Sequence, residues 1–282
     1  MLLAMLAALV VSAQSSDTTL AVQRGDRLEV SVHGGDIVVR AWNRNTVSVT
    51  SDPDVRLDVS RSRSAIRISP SGRHGEPVAA DLAISVPAWM AVTLDAVESD
   101  VSVSGTQAPV SITTVQGDID VTGGNGIISL NSVEGAVSLK GARGRFALES
   151  VNDDVTLVDS QGDVKAETVN GDITLESVDA AEVDAGTVNG DIVYRGTIQQ
   201  TGRYHLATHN GDVTVSVPES AGVVVSVSTF GGDFESAFPV RVSSTRGRNF
   251  SFTLGSGSAR LDLESFQGTI RLERPGTRTR TR

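Results

Sequence analysis

Val115-Gln116-Gly117-Asp118-Ile119-Asp120-Val121 recurs with small changes as Val133-Glu134-Gly135-Ala136-Val137-Ser138-Leu139, Val151-Asn152-Asp153-Asp154-Val155-Thr156-Leu157 and Val169-Asn170-Gly171-Asp172-Ile173-Thr174-Leu175. The copies stand 18 residues apart and generate columns of apolar residues. One column is Val101, Ile119, Val137, Val155, Ile173, and a second, two residues on, is Val103, Val121, Leu139, Leu157, Leu175. A third, just upstream, is Val97, Val115, Val133, Val151, Val169. Two more follow half a repeat later: Val110, Ile128, Phe146, Val164 and Ile112, Leu130, Leu148, Ala166. A short fixed period with apolar residues in register means that a repeat cannot bury its own face and stacks on copies of itself. Each half-repeat offers one short strand and one tight corner. The fold class expected is therefore all-β: a flattened parallel β-solenoid (β-helix) with two short strands per ~18-residue turn.

Outward from this core, residues 27 to 94 alternate apolar and polar in irregularly spaced bursts, as in Leu28-Glu29-Val30-Ser31-Val32 and Leu82-Ala83-Ile84-Ser85-Val86. The expected organisation is an irregular β cap over residues 14–96, followed by solenoid repeats with C-terminal closing strands over 97–273. Residues 69–77, with Pro, Gly and His, read as an exposed loop of the cap. Between Val188 and Phe234 the period stretches to 19 and then 21, so loops grow on one side. Seven or eight turns at the usual strand spacing predict a rod of roughly 35 Å.

Residues 1–13 combine the apolar run Leu2 to Val11 with small residues at Val11-Ser12-Ala13. They read as a secretory signal peptide cleaved after Ala13, with a buried N-terminal strand as the alternative. The run is too short to span a bilayer as a helix, so no transmembrane segment is expected in the mature chain. Residues 274–282, a Thr-Arg alternation from Gly276 on, read as a disordered basic tail. The chain has no cysteine, which excludes disulfides, thiol chemistry and lipoprotein anchoring. A net charge of −10 argues against nucleic acid as a partner, because phosphate binding needs a concentrated basic face. Aromatic residues are only 4% of the chain, so core mass must come from Val, Ile, Leu and Ala.

The commonest local motif is (Asn/Gln)-Gly-Asp, at Gln116-Gly117-Asp118, Gln161-Gly162-Asp163, Asn170-Gly171-Asp172, Asn189-Gly190-Asp191 and Asn210-Gly211-Asp212. It reads as corner chemistry. Gly takes a positive φ at no steric cost, Asp accepts backbone N–H bonds at the bend, and stacked amides bond along the axis as a ladder. The alternative is a calcium edge formed by stacked Asp118, Asp154, Asp172 and Asp191, since like charges that close repel unless something offsets them. The nonapeptide calcium roll needs Gly-Gly-x-Gly-x-Asp, which this chain lacks, so no metal, catalytic or cofactor residue is assigned and no cofactor is expected. A binding candidate is the cluster Tyr194, Arg195, Arg203, Tyr204, His205 and His209, which gathers both tyrosines where the period lengthens.

The repeated Gly-Asp-Ile turns, the lead-in Ile84-Ser85-Val86-Pro87-Ala88-Trp89, the later Val215-Ser216-Val217-Pro218-Glu219-Ser220-Ala221 with Phe230-Gly231-Gly232-Asp233, and the closing Phe266-Gln267-Gly268-Thr269-Ile270 resemble the bacterial putative-adhesin β-strand-repeat family. The head domain of putative auto-transporter adhesins is similar. The resemblance implies a right-handed solenoid in an exported or envelope-facing protein and supplies no catalytic residues.

The function expected is a non-enzymatic adhesion or interaction module at the bacterial cell envelope: periplasmic, surface-bound or secreted. Its partner would be an envelope polymer or protein met by multivalent weak contacts, with end-to-end self-association of the solenoid as a further expectation. One alternative is an envelope-stress scaffold or sensor domain that partners a membrane protein. A polysaccharide-active β-helix enzyme ranks below both, because uniform short turns form no deep cleft.

Overall fold

The computed structural model describes residues 17–72, 75–241, 244–246 and 249–276. Among them the chain is all strands, corners and turns, with no helix. The leader expected over residues 1–13 and residues 277–282 of the basic tail lie outside the described residues.

The 18-residue register is realised as parallel pairing. Ile119 pairs with Val101 on one side and Val137 on the other, and Val155, Ile173, Ile192, Val213 and Ile270 continue that column. In the second column Val92, Val110, Ile128, Phe146, Val164, Val183, Tyr204 and Leu261 stand in the same relation. These side chains are buried and belong to one continuous apolar core. Val, Ile and Leu alternate with Ser, Thr and charged residues along each strand, which suits a pleated surface dry on one face and wet on the other.

The order of layers departs from the order of the chain at both ends. Strands Arg27–Gly34 and Ile37–Trp42 are sandwiched between the layer of Ala91–Glu98 with Val101–Thr106 and an outer layer of Ala65–Ser71 with Leu82–Pro87. At the far end Ala259–Gln267 and Ile270–Glu273 slot beneath the outer layer of Val223–Thr229 and Phe234–Ser236. Each face of the rod thereby stacks eleven parallel strands among the described residues. At about 4.8 Å per strand this is a rod of roughly 48 Å. It exceeds the expected length because the segments read as irregular caps build complete layers.

A purely parallel sheet is corrected to a mixed one. Thr46–Ser51 runs antiparallel to both Asp17–Ala21 and Leu82–Pro87, and Arg56–Ser62 runs antiparallel to Ala65–Ser71. Asn249–Leu254 does the same against Val223–Thr229 and Ser244–Arg246. The last layer of a parallel coil presents unpaired N–H and C=O groups, and an antiparallel hairpin covers them without another crossover. The loop expected over residues 69–77 is also shorter than read: Pro70 and Ser71 are buried in a strand, opposite Leu57 and Arg56.

The stretched period between Val188 and Phe234 has a packing cause. Tyr194 and Tyr204 occupy core positions held by Leu175 and Val183 in the preceding layer, with ring centroids 5.5 Å apart. Two phenols need more room and polar partners. Tyr194 donates to the Thr197 carbonyl at 2.8 Å, and Tyr204 contacts the Ala180 and Thr197 carbonyls at 2.9 and 3.1 Å. The lengthened stretch supplies the Thr197 carbonyl and the preceding layer that of Ala180, while Gly196 and Gly202 leave space that a Cβ would take from the rings.

Candidate functional site

The apolar columns divide at one corner of the rod. Counting by twos from buried Ile112 puts Thr114 inward and Val115 outward, and the structure follows that parity rather than hydrophobicity. Val97, Val115, Val133, Val151, Val169 and Val188 are each 37–46% exposed. The third column of the sequence analysis is therefore corrected from core to surface. Its inward neighbours are Ala96, Thr114, Ser132, Ser150, Thr168 and Thr187, all buried, and Thr208 and Ser265 continue that inward row in later layers.

Those hydroxyls explain the parity. Ser132 donates to the Gly117 carbonyl at 3.1 Å, Ser150 to Gly135 at 3.0 Å, Thr187 to Gly171 at 3.0 Å and Thr208 to Gly190 at 2.9 Å. Each satisfies a carbonyl at the corner of the preceding layer, in the half-buried to buried interior of the bend. The corner glycines answer two demands, a positive φ at most corners and close approach between layers at all of them. Gly171 lies outside the left-handed region, yet a Cβ there would sit 2.2 Å from the Asp153 carbonyl oxygen. At Gly117 both demands coincide, with φ of 121° and the Ser99 oxygen 2.1 Å away.

Beyond the valines runs the amide ladder. Asn170 donates to Asn152 at 3.0 Å, Asn189 to Asn170 at 2.8 Å and Asn210 to Asn189 at 2.8 Å, all side chain to side chain. Next come the aspartates. Asp100 accepts from the Asp118 N–H at 2.9 Å, Asp154 from Asp172, Asp172 from Asp191 and Asp191 from Asp212, the last three at 2.7 Å. The edge proposed for calcium, Asp118, Asp154, Asp172 and Asp191, thus places one oxygen of each carboxylate on a backbone amide of an adjoining layer. Charge-assisted bonds to N–H offset the mutual repulsion without a cation. Arg271 closes the row on Asp212.

The cluster read as a binding candidate comes apart in three dimensions. Tyr194 and Tyr204 are core residues, and burial pushes both phenols above their ordinary range. Arg195 pairs with Glu176 at 2.7 Å and Arg203 with Glu182 at 3.4 Å, on separate outer faces. His205 is exposed beside Asp262 and Asn249. His209 alone joins the exposed corner: it follows Val188 in register and stacks on Phe266, centroids 4.6 Å apart, which stacks on Phe230 at 4.7 Å.

The result is an exposed apolar ladder spanning six valines and continuing through His209, Phe266 (38% exposed) and Phe230 (59%). A groove of about 600 Å³ follows it, walled by Val133, Val151, Val169 and Val188 against Glu149 and Glu167. A second stretch of about 470 Å³ continues past Thr208 to Phe230 and Phe266. The columns flanking the ladder carry Asp95, Glu98, Glu134, Glu149, Glu167 and Glu264. Neither contains a lysine or arginine; Lys165, one column away, reaches Glu167 at 2.7 Å and Glu149 at 3.7 Å. The ladder was legible as a column but was read as core; strand parity was the signal that could have placed it outside.

The model of the Toastrack DUF4097 family matches residues 128–273. No curated protein matches. Among solved structures, a "putative adhesin" from Bacteroides fragilis is similar at 13% identity, covering 91% of this chain and 95% of that one with a TM-score of 0.46. A "putative cell adhesion protein" from Clostridium sporogenes is similar at 10% identity over 93% and 100% of the two chains, TM-score 0.28. A "putative lipid binding protein" from Parabacteroides distasonis gives 10% identity over 91% and 96%, TM-score 0.36.

Proposed function

The chain belongs to the Toastrack DUF4097 family, and from that starting point we propose that it is an exported, non-enzymatic interaction module of the bacterial cell envelope whose contact surface is the valine-lined corner. One observation carries the reading: a solenoid that buries its other valine columns leaves this one in water for the length of the regular array. Contiguous exposed apolar surface rimmed by polar residues marks an interaction site. The corner needs no apolar residue for its own sake, because the hydroxyl, glycine and aspartate positions already close it. The leader-like residues 1–13 support export. A right-handed coil belongs to the same proposal, since parallel crossover connections are overwhelmingly of that hand.

The test replaces Val133, Val151 and Val169 together by Thr, which keeps shape and β propensity while removing apolarity. Purified wild-type chain is expected to co-sediment with isolated bacterial envelopes and the triple variant to remain in the supernatant. Equal sedimentation of a correctly folded variant refutes the assignment of this face.

A further inference from the structure

We infer that the partner laid along this corner is a cationic, proline-rich polypeptide segment in polyproline II conformation, with an apolar residue at every third position. The inference rests on the proposed contact surface and names what it holds.

Three features of the corner select that chemistry. The first is charge. One flanking column carries Asp95, Glu149, Glu167 and Glu264, with Lys165 reaching the middle two, the other carries Glu98 and Glu134 before the asparagines, and the aspartate row lies just beyond the amides. The net charge along the corner is negative, so an anionic bilayer or a second copy of the same face would meet like charge, whereas a chain bearing Lys or Arg meets opposite charge. The second is period. Valines repeat once per layer, about 4.8 Å, so alternate valines lie about 9.6 Å apart. A polyproline II chain rises about 9.3 Å in three residues and presents the same side at each third position. An extended strand repeats its face at about 6.7 Å and falls out of step after one layer.

The third feature is hydrogen bonding. Polyproline II has no internal hydrogen bonds, so its carbonyls need donors. Asn170, Asn189 and Asn210 each spend one amide hydrogen on the ladder, and an Asn side chain has two. The remaining hydrogens form a row of donors at the layer spacing, directly beside the valines. Apolar contact, charge and donor row therefore share one axis and one period.

The experiment is fluorescence anisotropy of the labelled peptide (Pro-Lys-Val)4 with the purified full chain at low salt. (Pro-Glu-Val)4 and (Pro-Lys-Thr)4 serve as controls, and the Val133→Thr, Val151→Thr, Val169→Thr variant is measured alongside. The expected result is saturable binding of (Pro-Lys-Val)4, at least ten-fold weaker binding of both control peptides, and a loss of ten-fold or more in the variant with its circular dichroism unchanged. The peptide controls use wild-type protein, so they decide even if the variant misfolds. Equal binding of (Pro-Lys-Val)4 and (Pro-Lys-Thr)4 would reduce the effect to polyelectrolyte attraction and overturn the inference, as would no binding at all. Envelope co-sedimentation separates the two proposals. If it depends on the valines while the peptide does not bind, the partner is wrong and the contact face stands; if neither depends on them, both fall.

Discussion

Replacing Gly190 by Ala tests the corner geometry directly. An added Cβ would lie 1.9 Å from the Gly171 carbonyl oxygen and 2.5 Å from its carbon, where ordinary contact begins near 3.4 Å. The layers must part there by about 1.5 Å, far more than rotamer adjustment absorbs in a close-packed interior. Four bonds cross or anchor that spot: Gly190 N–H to the Asn210 carbonyl at 3.0 Å, Thr208 Oγ1 to the Gly190 carbonyl at 2.9 Å, and the Asn189 to Asn170 and Asp191 to Asp172 bonds at 2.8 and 2.7 Å. Losing two of them at about 1 kcal/mol each, with overpacking of about 1–3 kcal/mol, gives an expected cost of about 3–5 kcal/mol. That is a large share of the ~5–15 kcal/mol typical of a folded domain. Gly186→Ala is the internal control, since a Cβ there meets only the Ala207 oxygen, at 3.9 Å. It should be neutral or slightly stabilising through the unfolded state. Guanidinium unfolding followed by circular dichroism measures both. A Gly190→Ala variant as stable as Gly186→Ala would refute the claim that this corner demands glycine, where close approach between layers coincides with a φ of 157°.

Phe146→Ala, at a fully buried position, is expected to cost about 3–5 kcal/mol, whereas Val151→Thr, at 38% exposure, should cost under about 1 kcal/mol; similar losses would place the valine column back in the core. Thr187→Val removes the donor to the Gly171 carbonyl without changing shape and should cost about 1 kcal/mol in the same unfolding assay. Burial raises the Tyr194 and Tyr204 phenols above the ordinary value of 10.0, so the stabilisation they report is complete below about pH 10 and is lost as pH rises beyond it. Phenolate absorbance should therefore stay absent from the native protein above pH 10 and emerge together with loss of the β circular dichroism signal. Reversible titration of both tyrosines near 10 in folded protein would contradict their placement.

The columns through Ile119, Val121, Val110 and Ile112 were legible because their spacing is local arithmetic. Residues 18 apart that are all apolar have one economical arrangement, and the pairing follows it residue for residue. The amide ladder was legible for the same reason, since identical side chains at identical corners must meet. The tyrosine cluster failed because proximity in sequence says nothing about side: adjacent strand residues point to opposite faces, and the two rings turned inward while Arg195, Arg203 and His205 turned out.

By itself the sequence determined the repeat, the two-strand turn and the chemistry of the corner, because each depends on residues a fixed short distance apart. Strand parity could have placed the corner valines outside, but only the tertiary structure decided that parity outweighs hydrophobicity there. That choice is made by hydroxyls reaching carbonyls in the preceding layer, a contact between turns that the composition of a single turn does not specify. The tertiary structure also decided that Ala259–Gln267 lies beneath Val223–Thr229 and that Arg27–Gly34 lies within its cap. Those placements depend on which free strand edge each non-repeating segment reaches, and an edge belongs to the assembled rod rather than to any stretch of chain.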